Sequence, residues 1–166
     1  NEQTRNETPD LGDLDNYAKI LCDAIKGEGG VLIDESKIQR LNIGWIDTCT
    51  EPYFEIDIDG HPDDYCQKPF ELYEMKNKMY YPVSSFSWTK EGPVQIPEEA
   101  KLKLIDVIDD MTSRAIKLRR DCRDMGMDRE EAYYATLGLQ PILKGFHKNR
   151  VLDSGFQLVG YTEWKK

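Results

Sequence analysis

Tyr17, Leu21, Ala24 and Ile25 recur at helical spacing behind Asp13, a good N-cap, and the turn residues from Pro9 to Gly12 separate them from what precedes. The pattern predicts a helix from about Leu14 to Lys26. Gly27, Gly29 and Gly30 stop it, and Val31 to Ile33 read as a short buried run that delivers Asp34 and Glu35. The period then falls to two. Leu41, Ile43 and Trp45 alternate with Asn42 and Gly44, and Phe54, Ile56 and Ile58 alternate with Glu55, Asp57 and Asp59, which predicts an antiparallel hairpin with one wet face.

Residues 60–95 are rich in aromatics and prolines without a clear period, and are expected to be loops with short strands covering the sheet. Pro97 stands at the first turn of a long helix whose Leu104, Ile108, Met111, Ala115, Leu118 and Cys122 form a heptad-like stripe. That stripe packs either on the chain's own sheet or on a second copy. Ile105, Val107 and Ile116 widen it beyond a coiled-coil seam and favour the first. Asp128 to Glu131 has the form of a capping box, opening a second helix through Leu137 with Tyr133, Tyr134 and Leu137 as packing residues. Phe156 through Trp164 reads as a final strand. The expected class is α+β: a mixed or antiparallel sheet with residues 1–95 as the core and 96–166 as a helical extension with a last strand, packed on that core.

At 166 residues with 39% hydrophobic content the chain has enough apolar surface for one sound core. No run of roughly eighteen apolar residues and no secretory or transit segment is present, so the expectation is a soluble, cytoplasmic protein without a membrane partner. Cys22, Cys49, Cys66 and Cys122 are widely spaced and His61 and His147 stand alone, a pattern of reduced thiols rather than of disulfides or a zinc site.

The net charge of −9 argues at first against a nucleic-acid ligand, but it is unevenly distributed. Residues 1–83 hold 8 basic and 18 acidic side chains, whereas 84–166 hold 14 and 13. The densest basic cluster, Lys117, Arg119, Arg120 and Arg123, is joined downstream by Lys148 and Arg150. These six are the candidate nucleic-acid contacts, with helix-dipole complementarity as the plainer reading of the first four.

Asp13 and Asp15, one residue apart at a helix start, with Lys19 a turn later and Asp34 and Glu35 beyond the glycine turn, make an acidic constellation suited to Mg²⁺ or Mn²⁺. The stretch Asp13-Leu14-Asp15-Asn16 with Lys19, followed by Val31-Leu32-Ile33-Asp34-Glu35-Ser36-Lys37-Ile38, resembles the RusA family of Holliday junction resolvases over residues 9–59. The resemblance implies a RusA-like sheet and a small dimeric endonuclease, often phage-encoded, that binds four-way DNA junctions and nicks two strands symmetrically with Mg²⁺ or Mn²⁺. It implies that Asp13 and Asp15 are metal ligands, that Lys19 is needed for cleavage, and that Glu35, with Asp34 beside it, supplies the third carboxylate where the family usually has Asp-Asp. Members of the family have a longer stretch before the motif, including a Pro-Pro-x-x-Asn strand, and the expectation is that this upstream segment is absent here. The alternative is an acidic, non-catalytic interaction protein, such as a phage-type DNA mimic or regulatory module, with a resolvase-like fold.

Overall fold

A computed structural model describes residues 14–44, 53–60, 68–141 and 143–165. Asp13, Trp45, Cys49, His61 and Cys66 lie outside the described residues. The chain divides into two compact units, one of residues 1–59 with 153–155 and the other of 60–152 with 156–166. The boundary therefore falls after Asp59 and not after residue 95. The aromatic stretch belongs with the long helix, because its strands carry the apolar side chains on which that helix packs.

In the first unit, α1 (Leu14–Ile25) bears out the helical spacing. The glycine turn follows for steric reasons. Gly27 has φ +82°, and a Cβ there would stand 2.7 Å from the Ser154 carbonyl oxygen; at Gly30 it would stand 2.1 Å from that of Ile25. Val31 and Leu32 donate their amides back to the Ile25 carbonyl, closing the turn on the helix end. The run after it is not a buried strand: Val31 is 65% exposed and Leu32 makes an isolated bridge to Lys26. The predicted hairpin is also absent among the described residues, since 41–44 and 53–60 are irregular and Leu41, Phe54, Ile56 and Ile58 are exposed. Alternation alone does not hold a strand that has no covered face.

The second unit is built on a four-stranded mixed sheet in the order β5-β2-β1-β6, from β1 (Phe70–Glu74), β2 (Met79–Ser84), β5 (Phe146–His147) and β6 (Leu158–Val159). β1 and β2 are antiparallel with Leu72 opposite Pro82, β5 adds antiparallel to β2, and β6 lies parallel to β1. The Leu72 amide turns away from β2 and donates to the Gln157 carbonyl, 2.9 Å away. Leu72 and Pro82 thus form a non-hydrogen-bonded pair, and the ring of Pro82 faces the other side, beyond the short β5, where no ladder needs its missing N–H. A separate hairpin, β3 (Phe86–Thr89) with β4 (Gly92–Gln95), follows β2.

The long helix α2 (Glu98–Asp124) was legible from its periodicity, but its inward face is rotated from the expected stripe. Lys101, Ile105, Asp109, Thr112, Ala115 and Cys122 are buried, while Leu104 and Leu118 are 44% and 39% exposed. Ile105 joins Tyr73, Met75, Tyr81 and Val83 in the core, with Ile108, Val159 and Trp164 against them. Asp109 accepts from the Lys76 amide at 2.7 Å and so fixes the β1–β2 turn, in which Lys78 takes φ 66°. On the other end of β1, Phe70 stacks on Phe156 with ring centroids 4.5 Å apart.

The short helix α3 (Arg129–Ala135) has the capping box read from the sequence: Asp128 accepts from the amides of Glu130 and Glu131, and the Glu131 carboxylate accepts from the Asp128 amide. Its buried residue is Ala132. Tyr133, Tyr134 and Leu137 are exposed, contrary to the packing role expected of them, because α3 presents its smallest side chain to α2. After β5 come the single turns α4 (Lys148–Val151) and α5 (Tyr161–Trp164); the expected last strand is two residues long and turns helical at Tyr161. No helix among the described residues is long and apolar enough to cross a membrane.

Candidate functional site

The acidic constellation lies in the first unit. Asp15 and Lys19 are four residues apart on α1, both exposed, and neither enters an ion pair among the described residues. One turn of helix places a carboxylate and an ammonium side by side on an open face. Asp13, the partner of Asp15 in the sequence pattern, lies outside the described residues.

The downstream carboxylates are engaged elsewhere. Asp34 is 3% exposed, and its Oδ1 accepts from the Ser36 amide at 3.0 Å, capping the 3₁₀ turn Glu35–Lys37. Glu35 pairs with Lys26, whose Nζ lies 3.1 Å from Glu35 Oε2 and 2.5 Å from Asp23 Oδ1. Lys26 holds the Asp23 carboxyl below its usual range, and the hydrogen bonds from Lys26 to Asp23 and Glu35 raise the Lys26 ammonium in return. Lys26 follows the last turn of α1, eleven residues after Asp15 and about 16 Å further along the helix axis. The fold thus gathers Asp23, Lys26 and Glu35 at one end of α1, and Asp15 with Lys19 toward the other.

A hard divalent cation takes several oxygen ligands at little more than 2 Å. Asp15, Asp34 and Glu35 do not converge in this way, and among the described residues no three His, Cys, Asp or Glu side chains group as a metal site. The described donors do not by themselves fit the expected ion. Lys26 is the residue that sequence reasoning missed; its signal was its position three residues after Asp23, directly before the glycine turn.

The basic residues lie in the second unit. Arg119, Arg120 and Arg123 line an open groove of about 660 Å³ together with Ile116, Asp124, Met127, Asp128 and Arg129. Arg119 is held in place: its Nε donates to Thr136 Oγ1 at 3.1 Å and its guanidinium lies 5.1 Å from the Tyr133 ring centroid. Arg120, Arg123 and Arg129 are exposed, and their side chains take part in no ion pair or hydrogen bond among the described residues. Arg129 joins the set because the Met125-Gly126-Met127 turn, with Gly126 at φ 97°, brings the chain back beside the end of α2. Lys117, Lys148 and Arg150 are exposed but do not line the groove.

A second ionic cluster in that unit surrounds the buried Lys101, with Glu71 half-buried and Glu98 exposed. Lys101 Nζ lies 2.9 Å from Glu71 Oε2 and 3.0 Å from Glu98 Oε2, and the Tyr73 hydroxyl donates to the same Glu71 oxygen at 2.5 Å. Burial raises the Tyr73 phenol to about 12, with the bond to Glu71 adding to the effect, while Tyr73 and Lys101 hold Glu71 below its usual range. Burial disfavours the Lys101 ammonium, but its bonds to Glu71, Tyr73 and Glu98 outweigh this and raise it. Lys101, Glu71, Glu98 and Tyr73 satisfy one another, which marks the cluster as a tie between β1 and α2. No protein-family model, curated protein or solved structure matches this chain.

Proposed function

We propose that this chain is a RusA-like, divalent-metal-dependent endonuclease acting on branched DNA, in keeping with its Asp13-Leu14-Asp15-Asn16 motif. The observation that carries the reading is the exposed pair Asp15 and Lys19 on one face of α1, neither of them in an ion pair among the described residues, with Lys19 also acting on Asp23 one turn further on. In this reading Lys19 donates to a non-bridging oxygen of the scissile phosphate and offsets the negative charge that builds there. Asp15, together with Asp13, would hold Mg²⁺ or Mn²⁺, and the ion would supply an activated water. Glu35 is held by Lys26 and is assigned no step. A four-way junction has two-fold symmetry, so paired nicking calls for two copies of the chain.

The test is cleavage of a labelled four-way junction and of linear duplex in Mg²⁺, Mn²⁺ or EDTA. Paired cuts on the junction in metal, absent with Asp15→Asn and reduced about 10²- to 10³-fold with Lys19→Ala, are the expected outcome. Junction binding without cleavage under every condition overturns it.

One observation favours a second reading, an acidic interaction module without catalysis. Residues 1–59 carry 14 acidic and 5 basic side chains, and Lys26 already engages both Asp23 and Glu35, leaving a net negative charge there. Such a module tolerates Asp15→Asn and loses its partner only when many surface acids are neutralised together.

A further inference from the structure

We infer that the groove between the end of α2 and the start of α3 holds the phosphodiester backbone of a nucleic-acid strand, with Arg120, Arg123 and Arg129 as its contacts and Arg119 as the fixed anchor. Ile116, Arg119, Arg120 and Arg123 stand at i, i+3, i+4 and i+7 on α2, so they share one face. Arg119 and Arg123 are one turn apart, about 6 Å along the axis, comparable with the step between successive phosphates of one strand. Arg129 approaches from the other wall, so the guanidiniums flank the groove rather than form a single row.

Charge and chemistry select the ligand. Four guanidiniums face two carboxylates, and one of those, Asp128, already accepts from two backbone amides. A guanidinium fork matches two oxygens of one phosphate, and the four guanidiniums, three of them without an ion pair among the described residues, outnumber the groove's two carboxylates. Arg119 retains its Nη donors toward the groove while Thr136 accepts from Nε and Tyr133 backs its face. The groove is open, and the apolar lining consists of Ile116 and Met127, neither of which is a platform for stacking a base. These features fit sequence-independent contact with a backbone, not recognition of a nucleobase. An acidic polypeptide shares the negative charge but lacks the regular tetrahedral, multiply accepting groups that suit three forked donors.

The assignment concerns binding alone. It shares only the class of ligand with the cleavage reading and is tested in EDTA, where no metal-dependent cutting occurs. The affinity of the full chain for a labelled oligonucleotide, single-stranded and duplex, is measured by fluorescence anisotropy as a function of salt. The variants are Arg120→Ala/Arg123→Ala/Arg129→Ala together and, as a control outside the groove, Lys90→Ala/Lys103→Ala, both exposed positions. All three groove substitutions are at exposed positions, Arg119 is left in place, and circular dichroism confirms that each variant folds.

The expected result is a loss of at least about tenfold in affinity for the triple variant, with the slope of log K against log salt smaller in magnitude by about two to three. The control variant keeps the wild-type slope. Equal slopes for the wild type and the triple variant overturn the inference. So does tight binding of poly-glutamate to the wild type with none of either oligonucleotide, which assigns the groove to an acidic protein instead. The slope is read in EDTA and cleavage in metal, so failure of one reading does not masquerade as failure of the other.

Discussion

Glu71 is the residue on which the cluster between β1 and α2 depends, since one of its oxygens meets both the Tyr73 hydroxyl and the Lys101 ammonium. Lys101 is a charged side chain on the inward face of the first turn of α2, and removing Glu71 leaves this buried cation with the exposed Glu98 as its remaining carboxylate partner. Glu71→Gln is expected to lower stability by about 3 kcal/mol, the lower end for a broken buried pair because Glu71 keeps some contact with water. The pH dependence has two limbs. Glu71 titrates below its ordinary 4.5 in the folded chain, so its contribution is full above that pH and is lost as pH falls through the lowered value. Tyr73 titrates above its ordinary 10.0, at about 12, so its contribution is full below pH 10.0 and is lost between there and about 12. Urea unfolding at a series of pH values, with Tyr73→Phe as the comparison, checks both; Tyr73→Phe removes the alkaline limb assigned to this phenol. None of this was legible in the sequence, where Glu71, Tyr73 and Lys101 are one strand and one helix apart.

At the scale of elements, what the sequence disclosed depended on how many faces of an element are covered. The helices α1, α2 and α3 were readable because each has one wet face and a cap or breaker at its ends. β1 and β2 were not, since both their faces are packed: Phe70, Leu72 and Tyr73 are all buried, as are Tyr80 through Val83, and the alternation that marks a half-buried strand disappears. The reverse error occurred at 41–58, where alternation is clear and no described strand exists. On α2 the expected and observed faces differ by a rotation. The apolar stripe runs through Leu104 and Leu118, whereas the helix turns Lys101, Asp109 and Thr112 inward because each has a polar role there. Ile105→Ala is therefore expected to cost about 2–5 kcal/mol and Leu104→Ala less than about 1. Thermal or denaturant unfolding of the two variants distinguishes the observed face from the expected one. Of the candidate site, Asp15 and Lys19 were legible as a helical pair and the arginines as a cluster. The Lys26 bridge to Glu35 and the return of Arg129 were not, because both arise from turns that bring back residues distant in sequence.

At the scale of the whole molecule, the charge follows the division into units. Residues 1–59 carry 14 acidic and 5 basic side chains, and the unit containing the arginine groove is close to neutral overall. A net charge of −9 therefore describes one unit and says little about the other, which is why an acidic chain carries a polyanion site by this reading. The sheet of the second unit also spans the sequence, since β1 takes its parallel partner from β6 and its aromatic stack from Phe156. Removing residues 156–166 is expected to abolish cooperative unfolding of that unit, measurable as loss of its thermal transition with α2 still partly helical by circular dichroism.

The late partner of β1 also has a consequence during synthesis. Leu72 leaves the ribosome long before Gln157, to whose carbonyl its amide donates, so a nascent chain holding β1, β2 and α2 exposes an unpaired strand edge to its neighbours. Slow translation or a stall before residue 156 lengthens that interval, and crowded polysomes making this protein are where edge-to-edge aggregation would begin.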